Sequence, residues 1–500
     1  MHDWSPYQLA IFADVARGSG HTVVNAVAGS GKTTVLVEAI SHVPAGLSTL
    51  FVAFNKPIAE ELARRLAGKR VEVSTLHSYG LRVVTAGLGR LRIHKYRVDG
   101  FLRERLGDEP ETFHLRRSLG KAVSLAKGAL AHSTEAVDVL LDAFGVEVDG
   151  LPRDEFVAAV VSLLDRCRDT SDGCLDFDDM VWLPVVHGLR QRAFDRVFVD
   201  ERQDLNAAQV EMVLRAVRPD GRICAVGDPR QAIYRFRGAD SQAFERVAAQ
   251  LQAKELPLSI SYRCARGIVE HIRDVLPEIP IQAAPDAPYG EVTYAARVRM
   301  ETQACAGDFI LSRTNTPLIG LCTKFLREGR RANIQGRDVG ESLCAFVKKS
   351  GVRTVEALRN YVEDWGDKEC ARLAAKRRDT QAAEDRVACL LELSDGAPNL
   401  AGVLERIEEL FSDRDGQDCI VLSSTHKAKG LERDRVWMLV GTYLRRPDEE
   451  ERNLYYVAAS RARRTLFLVE GFEKKRRRGS EADASEDELN GLKPVDEVLS

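Results

Sequence analysis

The segment NAVAGSGKTT, residues 25–34, places glycines, a lysine and two hydroxyls between an apolar run and a helical pattern. Gly29 and Gly31 let the backbone turn so that successive N–H groups face one anion, and the following helix N-terminus favours negative charge. In such a loop Lys32 reaches the outer phosphates of a nucleotide, and Thr33 is placed to bind Mg²⁺. The segment therefore predicts a binding loop for a nucleoside triphosphate.

Two acids follow a second apolar run. In FVDERQD, Asp200 and Glu201 stand directly after residues 197–199, and acids at the end of a buried strand need a positive partner. A magnesium ion, helped by Lys32, would be that partner: Asp200 would hold the metal through water, and Glu201 would accept a proton from an attacking water. A capping cluster on an ordinary loop is the alternative. The upstream glycine-rich segment favours nucleotide hydrolysis.

A third run ends in AVGDPRQAIYRFRGAD, residues 225–240. Gln231 has the reach to sense a γ-phosphate. Behind it, Tyr234, Phe236 and Arg237 belong to an interleaved run of aromatic and cationic side chains. Rings stack on bases at ~1–3 kcal/mol each, and arginines bind phosphates. Ordinary packing is the alternative, but the position directly after Gln231 favours binding of a single nucleic-acid strand.

Composition sets the broad class of the protein. The 500 residues suffice for two to four domains of the usual ~100–200 residues. The net charge of −3 means that nucleic acid would have to bind in a local groove. The ten cysteines form no CxxC motif, which argues for buried reduced thiols rather than zinc or iron–sulfur sites. No apolar window approaches the ~18 residues of a membrane span, and the start lacks a signal pattern, so we expect a soluble, cytoplasmic protein, nucleoid-associated if bacterial or phage.

Short apolar runs alternate with helical patterns such as residues 58–66 and 207–216. This alternation predicts parallel sheets built from βαβ units, which bind ligands at the carboxyl ends of their strands. Helix-patterned stretches near 90–190 and 340–415 interrupt it, as insertions or as surface elaborations. The predicted strands cover residues 22–27, 49–54, 196–199, 223–226, 309–311, 420–422, 435–440 and 465–469.

A series of segments, in one order along the chain, resembles the motifs of the UvrD/Rep (PcrA-like) superfamily 1 DNA helicases. The resemblance implies an α/β fold of two RecA-like parallel-sheet domains, each carrying a mainly helical insertion, with ATP between them. The segments are SPYQLAIF, AGSGKTT, FVAFNKPIAEEL, TLHSYG, LDFDDM, VDERQD, GDPRQAIYRFRGAD, SISYRC, LSRTN, SSTHKAKGLERDRV and NLYYVAASRARRTLFLV. The implied boundaries are 1–89 and 191–278 for the first domain, 90–190 for its insertion, 279–339 and 416–472 for the second domain, 340–415 for its short insertion, and 473–500 for a disordered charged tail.

The resemblance also implies the residues of the site. Two arginine fingers from the second domain would stabilise the transition state only when the cleft closes. The implied catalytic residues are Lys32, Asp200, Glu201, Gln231, Arg313 and Arg461, the last two being the fingers. The implied nucleotide contacts are Gln8, Ala28, Gly29, Ser30, Gly31, Lys32, Thr33, Thr34, Gly430 and Glu432, with Thr33 and Asp200 at the metal. The implied DNA contacts are Phe54, Thr75, His77, Tyr234, Phe236, Arg237, Thr425 and His426.

Several positions depart from the family pattern. Ala26 stands where the strict loop motif has glycine. Many relatives hold adenine between an arginine and a tyrosine, where this chain has Thr34 and Ser312, so base affinity is weaker or another ring substitutes. Phe236 replaces a common tryptophan. The short second insertion makes the chain similar to the compact helicases of phages and to some F-box helicases.

The implied function is an ATP- and Mg²⁺-dependent motor that translocates on single-stranded DNA and unwinds tailed duplexes in replication, repair or recombination. A 3′-to-5′ direction is implied by the family alone. We expect a monomer on DNA, with protein partners binding through the charged tail. Two alternatives stay open: an anti-recombinase that strips proteins from DNA with little unwinding, and the motor subunit of a helicase–nuclease complex, for which about thirty tail-like residues after Val469 leave no room for a fused nuclease.

Overall fold

The computed structural model describes residues 3–109, 112–146, 148, 150–233, 243–375, 380–411, 418–444 and 448–472. Within these residues the chain forms two six-stranded sheets whose strands all run parallel. The fold class expected from the alternating pattern, two parallel-sheet α/β domains, is confirmed. Each sheet is interrupted by a mainly helical insertion.

The first sheet has the strand order β3-β2-β6-β7-β1-β8, with labels numbered along the chain. Because β6, β7 and β1 are neighbours, the polar segments that follow them meet at one carboxyl edge, where parallel sheets bind their ligands. The strands are β1 (Thr22–Ala26), β2 (Thr49–Ala53), β3 (Val71–Thr75), β6 (Phe194–Val199), β7 (Val217–Gly227) and β8 (Lys254–Leu258).

The helices of the first domain pack their apolar faces on this sheet, and their starts follow ordinary capping chemistry. Ser5 and Gln8 form a reciprocal capping box at the first helix, and the Asn55 side chain accepts from the N–H of Ile58 at the third. The helices are α1 (Pro6–Arg17), α2 (Lys32–Ser41), α3 (Lys56–Arg65), α4 (Leu76–Leu88), α10 (Ala207–Arg215) and α11 (Ala243–Gln250).

A buried ionic network holds the helices of the first insertion together. Lys127 Nζ lies 2.7 Å from Asp176 Oδ2 and 2.8 Å from Asp179 Oδ1. Arg97 donates to Asp179 at 2.9 Å. Lys127, Arg97 and Asp179 are almost fully buried, so each charge depends on its partners. The insertion contains β4 (Arg92–Ile93), β5 (Cys174–Leu175), α5 (Arg97–Leu106), α6 (Phe113–Ala129), α7 (Thr134–Ala143), α8 (Arg153–Arg168) and α9 (Asp179–Val186).

The second sheet has the order β11-β16-β15-β12-β14-β13. Its strands are β11 (Glu291–Ala296), β12 (Phe309–Ser312), β13 (Ala332–Ile334), β14 (Ile420–Ser424), β15 (Arg433–Leu439) and β16 (Ala462–Glu470). Its helices are α12 (Arg266–Val275), α13 (Arg297–Gln303), α14 (Thr316–Arg327), α19 (Thr425–Ala428) and α20 (Glu449–Ala459). The second insertion contains α15 (Arg337–Lys349), α16 (Val355–Ala375), α17 (Gln381–Ser394) and α18 (Leu400–Leu410), and a separate pair is formed by β9 (Ile260–Ser261) and β10 (Gln282–Ala283).

The passage between the two domains comes earlier than the sequence indicated. The apolar face of α12, including Ile268 and Ile272, packs with Phe309 and Leu466 of the second sheet. Since a helix belongs to the core that buries its apolar face, we place the passage before α12 rather than at residue 278.

The eight predicted strands are all present, and four strands of the large sheets were missed. The missed strands β3, β8, β11 and β13 lie at the four sheet edges, where half-exposed residues weaken the apolar signal; β8 even contains Pro257, which an edge strand tolerates. Eight of the ten cysteines are buried and all ten are free thiols. In the described parts of the chain, no helix has both the length and the apolar character that a membrane crossing demands.

Candidate active site

The glycine-rich loop, residues 28–34, has the conformation that its glycines predict. Gly29 and Gly31 have φ values of 73° and 76°, which side-chain-bearing residues rarely adopt. A Cβ on Gly29 would also lie 2.4 Å from the Cβ of Arg263. Ser30 is fully buried, and within the described structure its Oγ has no hydrogen-bond partner. A buried hydroxyl of this kind is costly unless satisfied, so a phosphate oxygen fits the loop.

The acids after β6 meet the start of α2. The Thr33 hydroxyl donates to Asp200 Oδ2 at 2.7 Å, and Lys32 Nζ lies 3.7 Å from Glu201 Oε1. Gln203 donates its side-chain amide to Glu201 Oε2 at 2.5 Å. The two motifs that suggested nucleotide chemistry are therefore in direct contact across the sheet edge.

The two carboxyl groups differ in their electrostatics. Burial, and then the charge of Glu201, raises the pKa of Asp200 to about 6. Burial also acts to raise the pKa of Glu201, but the charges of Lys32 and Lys429 outweigh it and lower that pKa. The carboxylate of Asp200 and the hydroxyl of Thr33 are oxygen donors of the kind that Mg²⁺ binds. A cation here would hold Asp200 ionised, so these residues fit the metal.

Side chains tie the three neighbouring strand ends together. Gln231 donates its side-chain amide to Asp228 Oδ2 at 2.6 Å, and the N–H of Asp228 donates to Gln203 Oε1 at 3.0 Å. The buried guanidinium of Arg202 donates to Asn25 Oδ1 at 2.6 Å. The loop after β7 is thus held beside the loop after β6 and the end of β1.

The segment that passes between the domains lies against the glycine-rich loop. The N–H of Tyr262 donates to Gly29 O at 2.9 Å, and its hydroxyl lies 3.4 Å from Gln8 Oε1. The Tyr262 side chain is 46% exposed, whereas Gln8 is buried. Thr34 and Ser312 offer no ring, so Tyr262 is the aromatic residue placed beside Gln8.

Arg263 follows directly and links both domains. It forms an ion pair with Glu432 and donates to Ser460 O at 3.3 Å. Arg463 donates to the same Glu432 carboxylate at 2.6 Å. Burial acts to raise the pKa of Glu432, but Arg263 and then Arg463 outweigh it, and the pKa is lowered.

Lys429 and Arg461 bring positive charge from the second domain. Lys429 Nζ lies 2.8 Å from both carboxylate oxygens of Asp204 and 2.8 Å from Gln231 O. Gly430, with φ of 90°, follows it in the turn. Arg461 is buried and donates to Val457 O at 2.8 Å. Burial, and then the charge of Arg263, lowers the pKa of Arg461 to about 10; its own charge contributes to the lowered pKa of Glu201.

Arg313 occupies a different place from the one expected. Its Nε donates to Glu451 Oε1 at 2.7 Å and its N–H donates to Thr442 Oγ1 at 3.1 Å. It lines a cavity of about 870 Å³ together with His426, and none of the described residues of the glycine-rich loop lines that cavity. This position argues against Arg313 as a γ-phosphate contact and favours Arg263, which touches the loop.

Two family models match the chain. The UvrD/REP helicase N-terminal domain matches residues 10–252, and the UvrD-like helicase C-terminal domain matches residues 420–469. These ranges hold the glycine-rich loop, the acids and Gln231 on one side and Lys429 and Arg461 on the other. The chain belongs to the UvrD/Rep helicase family.

Individual proteins of the family are similar in sequence to about half of this chain. The ATP-dependent DNA helicase PcrA of Bacillus subtilis is 29% identical over 290 residues, which cover 51% of this chain and 37% of the relative. PcrA of Staphylococcus aureus is 28% identical over 289 residues, covering 51% and 38%. The ATP-dependent DNA helicase UvrD1 of Mycobacterium bovis is 28% identical over 304 residues, covering 53% and 38%. The match thus spans less than two fifths of the length of each of these relatives.

Three of the residues predicted to contact DNA lie close together at the first sheet. Thr75 ends β3 opposite Ala53 of β2, and Phe54, which is 47% exposed, follows Ala53 directly. Thr75 Oγ1 accepts from the N–H of Ser78 at 3.2 Å and so caps α4. His77 lies on the first turn of α4, and burial lowers its pKa.

The predicted contacts of the second domain separate into one accessible and one buried residue. His426 lines the 870 Å³ cavity. Thr425 is fully buried, and its hydroxyl lies 2.6 Å from that of Tyr443. The burial argues against a direct DNA contact by the Thr425 side chain. Tyr234, Phe236 and Arg237 lie outside the described residues, and their role stays a prediction.

Sequence reasoning overlooked several residues at the site. Tyr262, Arg263 and Lys429 stand inside recognised motifs, SISYRC and SSTHKAKGLE, without having been given roles. Away from these residues, Phe177 in LDFDDM is a further exposed ring, 52% exposed, that was given no role. An aromatic residue flanked by acids on both sides was the available signal for this exposed ring.

Proposed function

We propose that this chain hydrolyses ATP to move along single-stranded DNA and to unwind tailed duplexes. The observation that carries the proposal is a cluster of side chains at one sheet edge. The glycine-rich loop, Asp200, Glu201 and Gln231 meet there. Arg263, from the passage between the domains, and Lys429, from the second domain, join them. Cations that reach a γ-phosphate from another domain make hydrolysis depend on domain closure.

Within this arrangement each side chain has a chemical task. Lys32 and the N–H groups of the glycine-rich loop would bind the phosphates. Mg²⁺ held by Thr33 and Asp200 would neutralise phosphate charge. Glu201 would accept the proton of the attacking water, and its lowered pKa keeps it ionised at neutral pH for this task. Arg263 and Arg461 would stabilise charge on the γ-phosphate.

Adenine would stack on the exposed face of the Tyr262 ring, with its edge toward the Gln8 amide. The half-exposed ring has a face open to a ligand, and its backbone is fixed to Gly29. This ring would replace the sandwich that Thr34 and Ser312 lack. The same segment connects the domains, so base binding and domain position would depend on one another.

The DNA strand would bind across both domains and would occupy the 870 Å³ cavity at the second domain. Cationic residues from three parts of the chain line it: Arg117 of the first insertion, Arg313 of the second domain and Arg386 of the second insertion. Asp385 accepts from the N–H groups of Asn315 and Thr316 at 3.0 and 2.9 Å. The second insertion thereby fixes the loop that carries Arg313. Phosphate contacts of this kind weaken with salt.

ATP turnover with single-stranded DNA and RNA oligonucleotides, followed by unwinding of 3′- and 5′-tailed duplexes, tests the proposal. We expect stimulation by DNA and unwinding of the 3′-tailed duplex, the polarity that the family implies. Stimulation without unwinding, together with displacement of streptavidin from biotinylated DNA, would instead favour the protein-stripping motor. No stimulation by either nucleic acid would contradict the proposal.

A further inference from the structure

One tyrosine hydroxyl joins the second domain to the glycine-rich loop. Tyr456 lies on α20 and is fully buried. Its hydroxyl accepts a hydrogen bond from the N–H of Ala28 at 2.7 Å and donates one to Asp228 Oδ2 at 3.0 Å. Both partners belong to the first domain. The hydroxyl is therefore a direct polar link between the two domains at the candidate active site.

The same carboxylate oxygen holds Gln231. Asp228 Oδ2 accepts from the Gln231 side-chain amide at 2.6 Å as well as from Tyr456. Burial raises the pKa of Asp228, and a buried carboxylate is stable only while donors surround it. Tyr456 supplies one of these donors from across the domain boundary. The orientation of Asp228, and through it of Gln231, thus depends on the position of α20.

The helix that carries Tyr456 also fixes Arg461. The carbonyl of Val457 accepts from Arg461 Nε at 2.8 Å. On the face toward the first domain, Leu454 and Val457 pack against Ile233, two residues after Gln231. The hydroxyl, the arginine and this apolar contact are therefore all fixed to α20.

We propose that Tyr456 is a positioning residue that holds Gln231 and the glycine-rich loop in their working arrangement only while the domains are closed. The inference rests on the proposed ATPase function and adds a residue to it. Opening the cleft beyond hydrogen-bond reach, ~3.5 Å, breaks both bonds of the hydroxyl together. Burial raises the pKa of Tyr456 far above its usual range, so the hydroxyl remains a donor at every working pH.

The test compares Tyr456→Phe with Tyr455→Phe. Tyr455 is the preceding residue on α20 and is also buried, but its hydroxyl bonds to His271 at 2.8 Å instead of to the first domain. Each variant loses one buried hydroxyl. We expect DNA-stimulated kcat to fall at least tenfold in Tyr456→Phe, with the Kd of a fluorescent ATP analogue changed less than threefold, and Tyr455→Phe to keep at least half of the wild-type kcat.

Amide hydrogen exchange of the glycine-rich loop gives a readout that does not depend on turnover. Exchange should speed up in the peptide containing Ala28 for Tyr456→Phe and not for Tyr455→Phe, because only the first loses the acceptor of that N–H. Unchanged exchange, or faster exchange with wild-type kcat, would overturn the inference, as would an equal loss of kcat in both variants. A wild-type protein without DNA-stimulated turnover would mark the proposed function itself as wrong.

Discussion

Lys429 Nζ lies 2.8 Å from both carboxylate oxygens of Asp204 and so joins the second domain to the loop after β6. Both side chains are almost fully buried. Burial raises the pKa of Asp204 to about 6, although Lys429 acts to lower it. An ion pair between the domains therefore contains a carboxyl group that titrates just below neutral pH.

The raised pKa of Asp204 predicts a specific pH dependence of stability. Because the folded pKa of about 6 lies above the ordinary 3.8, the folded protein holds this proton more tightly than the unfolded chain. The contribution of this proton to folding stability is full at pH values below the unfolded pKa, and it is lost as the pH rises through about 6. Between pH 5 and pH 7.5 this loss lowers the free energy of unfolding by about 1.4 kcal/mol. Asp204→Asn should remove this part of the slope when the free energy of unfolding is measured by denaturant titration.

Asp195→Asn is the matched control for that slope. Hydrogen bonds from Ser48 hold the pKa of Asp195 at about 2, so this carboxylate stays ionised from pH 5 to pH 7.5. Its replacement should lower stability equally at both pH values. A wild-type slope in Asp204→Asn would show that Asp204 does not titrate in this window.

Glu201→Gln should abolish most DNA-stimulated ATP turnover and leave strand binding intact. The substitution keeps the shape of the side chain but removes the proton acceptor, and a general base contributes about 10²–10⁴-fold. Lys32→Ala should also abolish turnover, because it removes the cation for the phosphates. Turnover is measured by phosphate release and strand binding by fluorescence anisotropy. Near-normal turnover in either variant would count against the proposed ATPase.

Arg263→Ala and Arg313→Ala should have opposite profiles. Arg263 contacts the glycine-rich loop region and Glu432, so its loss should lower kcat by about 10²–10³-fold, as for other charge-stabilising donors. Arg313 lines the 870 Å³ cavity together with Arg117 and Arg386, so its loss should mainly weaken strand binding and flatten its salt dependence. The reverse pattern in kcat and anisotropy would restore Arg313 as the phosphate-binding arginine.

Tyr262→Ala should raise the KM for ATP about tenfold, since base stacking on a ring is worth ~1–3 kcal/mol. Tyr262→Phe keeps the ring and loses only a 3.4 Å contact with Gln8, so its KM should stay within about threefold of wild type. The comparison is made by steady-state kinetics with saturating DNA. Equal KM values in all three proteins would exclude the ring from adenine binding.

Lys127→Met should destabilise the first insertion strongly. The change removes the buried cation of Asp176 and leaves Asp179 with Arg97 alone, and breaking such a buried pair costs about 3–5 kcal/mol. Arg153→Met is the control, because Arg153 pairs with Asp138 at the surface, where ion pairs contribute about 0–1 kcal/mol. Denaturant midpoints of the two variants provide the comparison, and similar shifts would argue against the buried network.

The sequence by itself determined the chemistry of the first domain. Gly29 and Gly31 are needed by the local backbone, and the acids at 200 and 201 directly follow an apolar strand, so these features can be recognised within a few residues. Because parallel strands present ligand residues at their carboxyl ends, the sequence also predicts that Thr33 and Asp200 lie together, and they are hydrogen-bonded in the structure. Interior strands were found for the same reason, since burial on both faces gives continuous apolar runs.

Only the tertiary structure decided which residues meet across the domain boundary. Arg263 and Arg313 each stand in a motif-like segment, and nothing local distinguishes them; the packing of α12 on the second sheet puts Arg263 on the loop and leaves Arg313 in a cavity. Tyr456 and Ala28 are 428 residues apart. Contacts of that kind depend on how two separately formed cores dock. The local periodicity of a sequence contains no information about that docking.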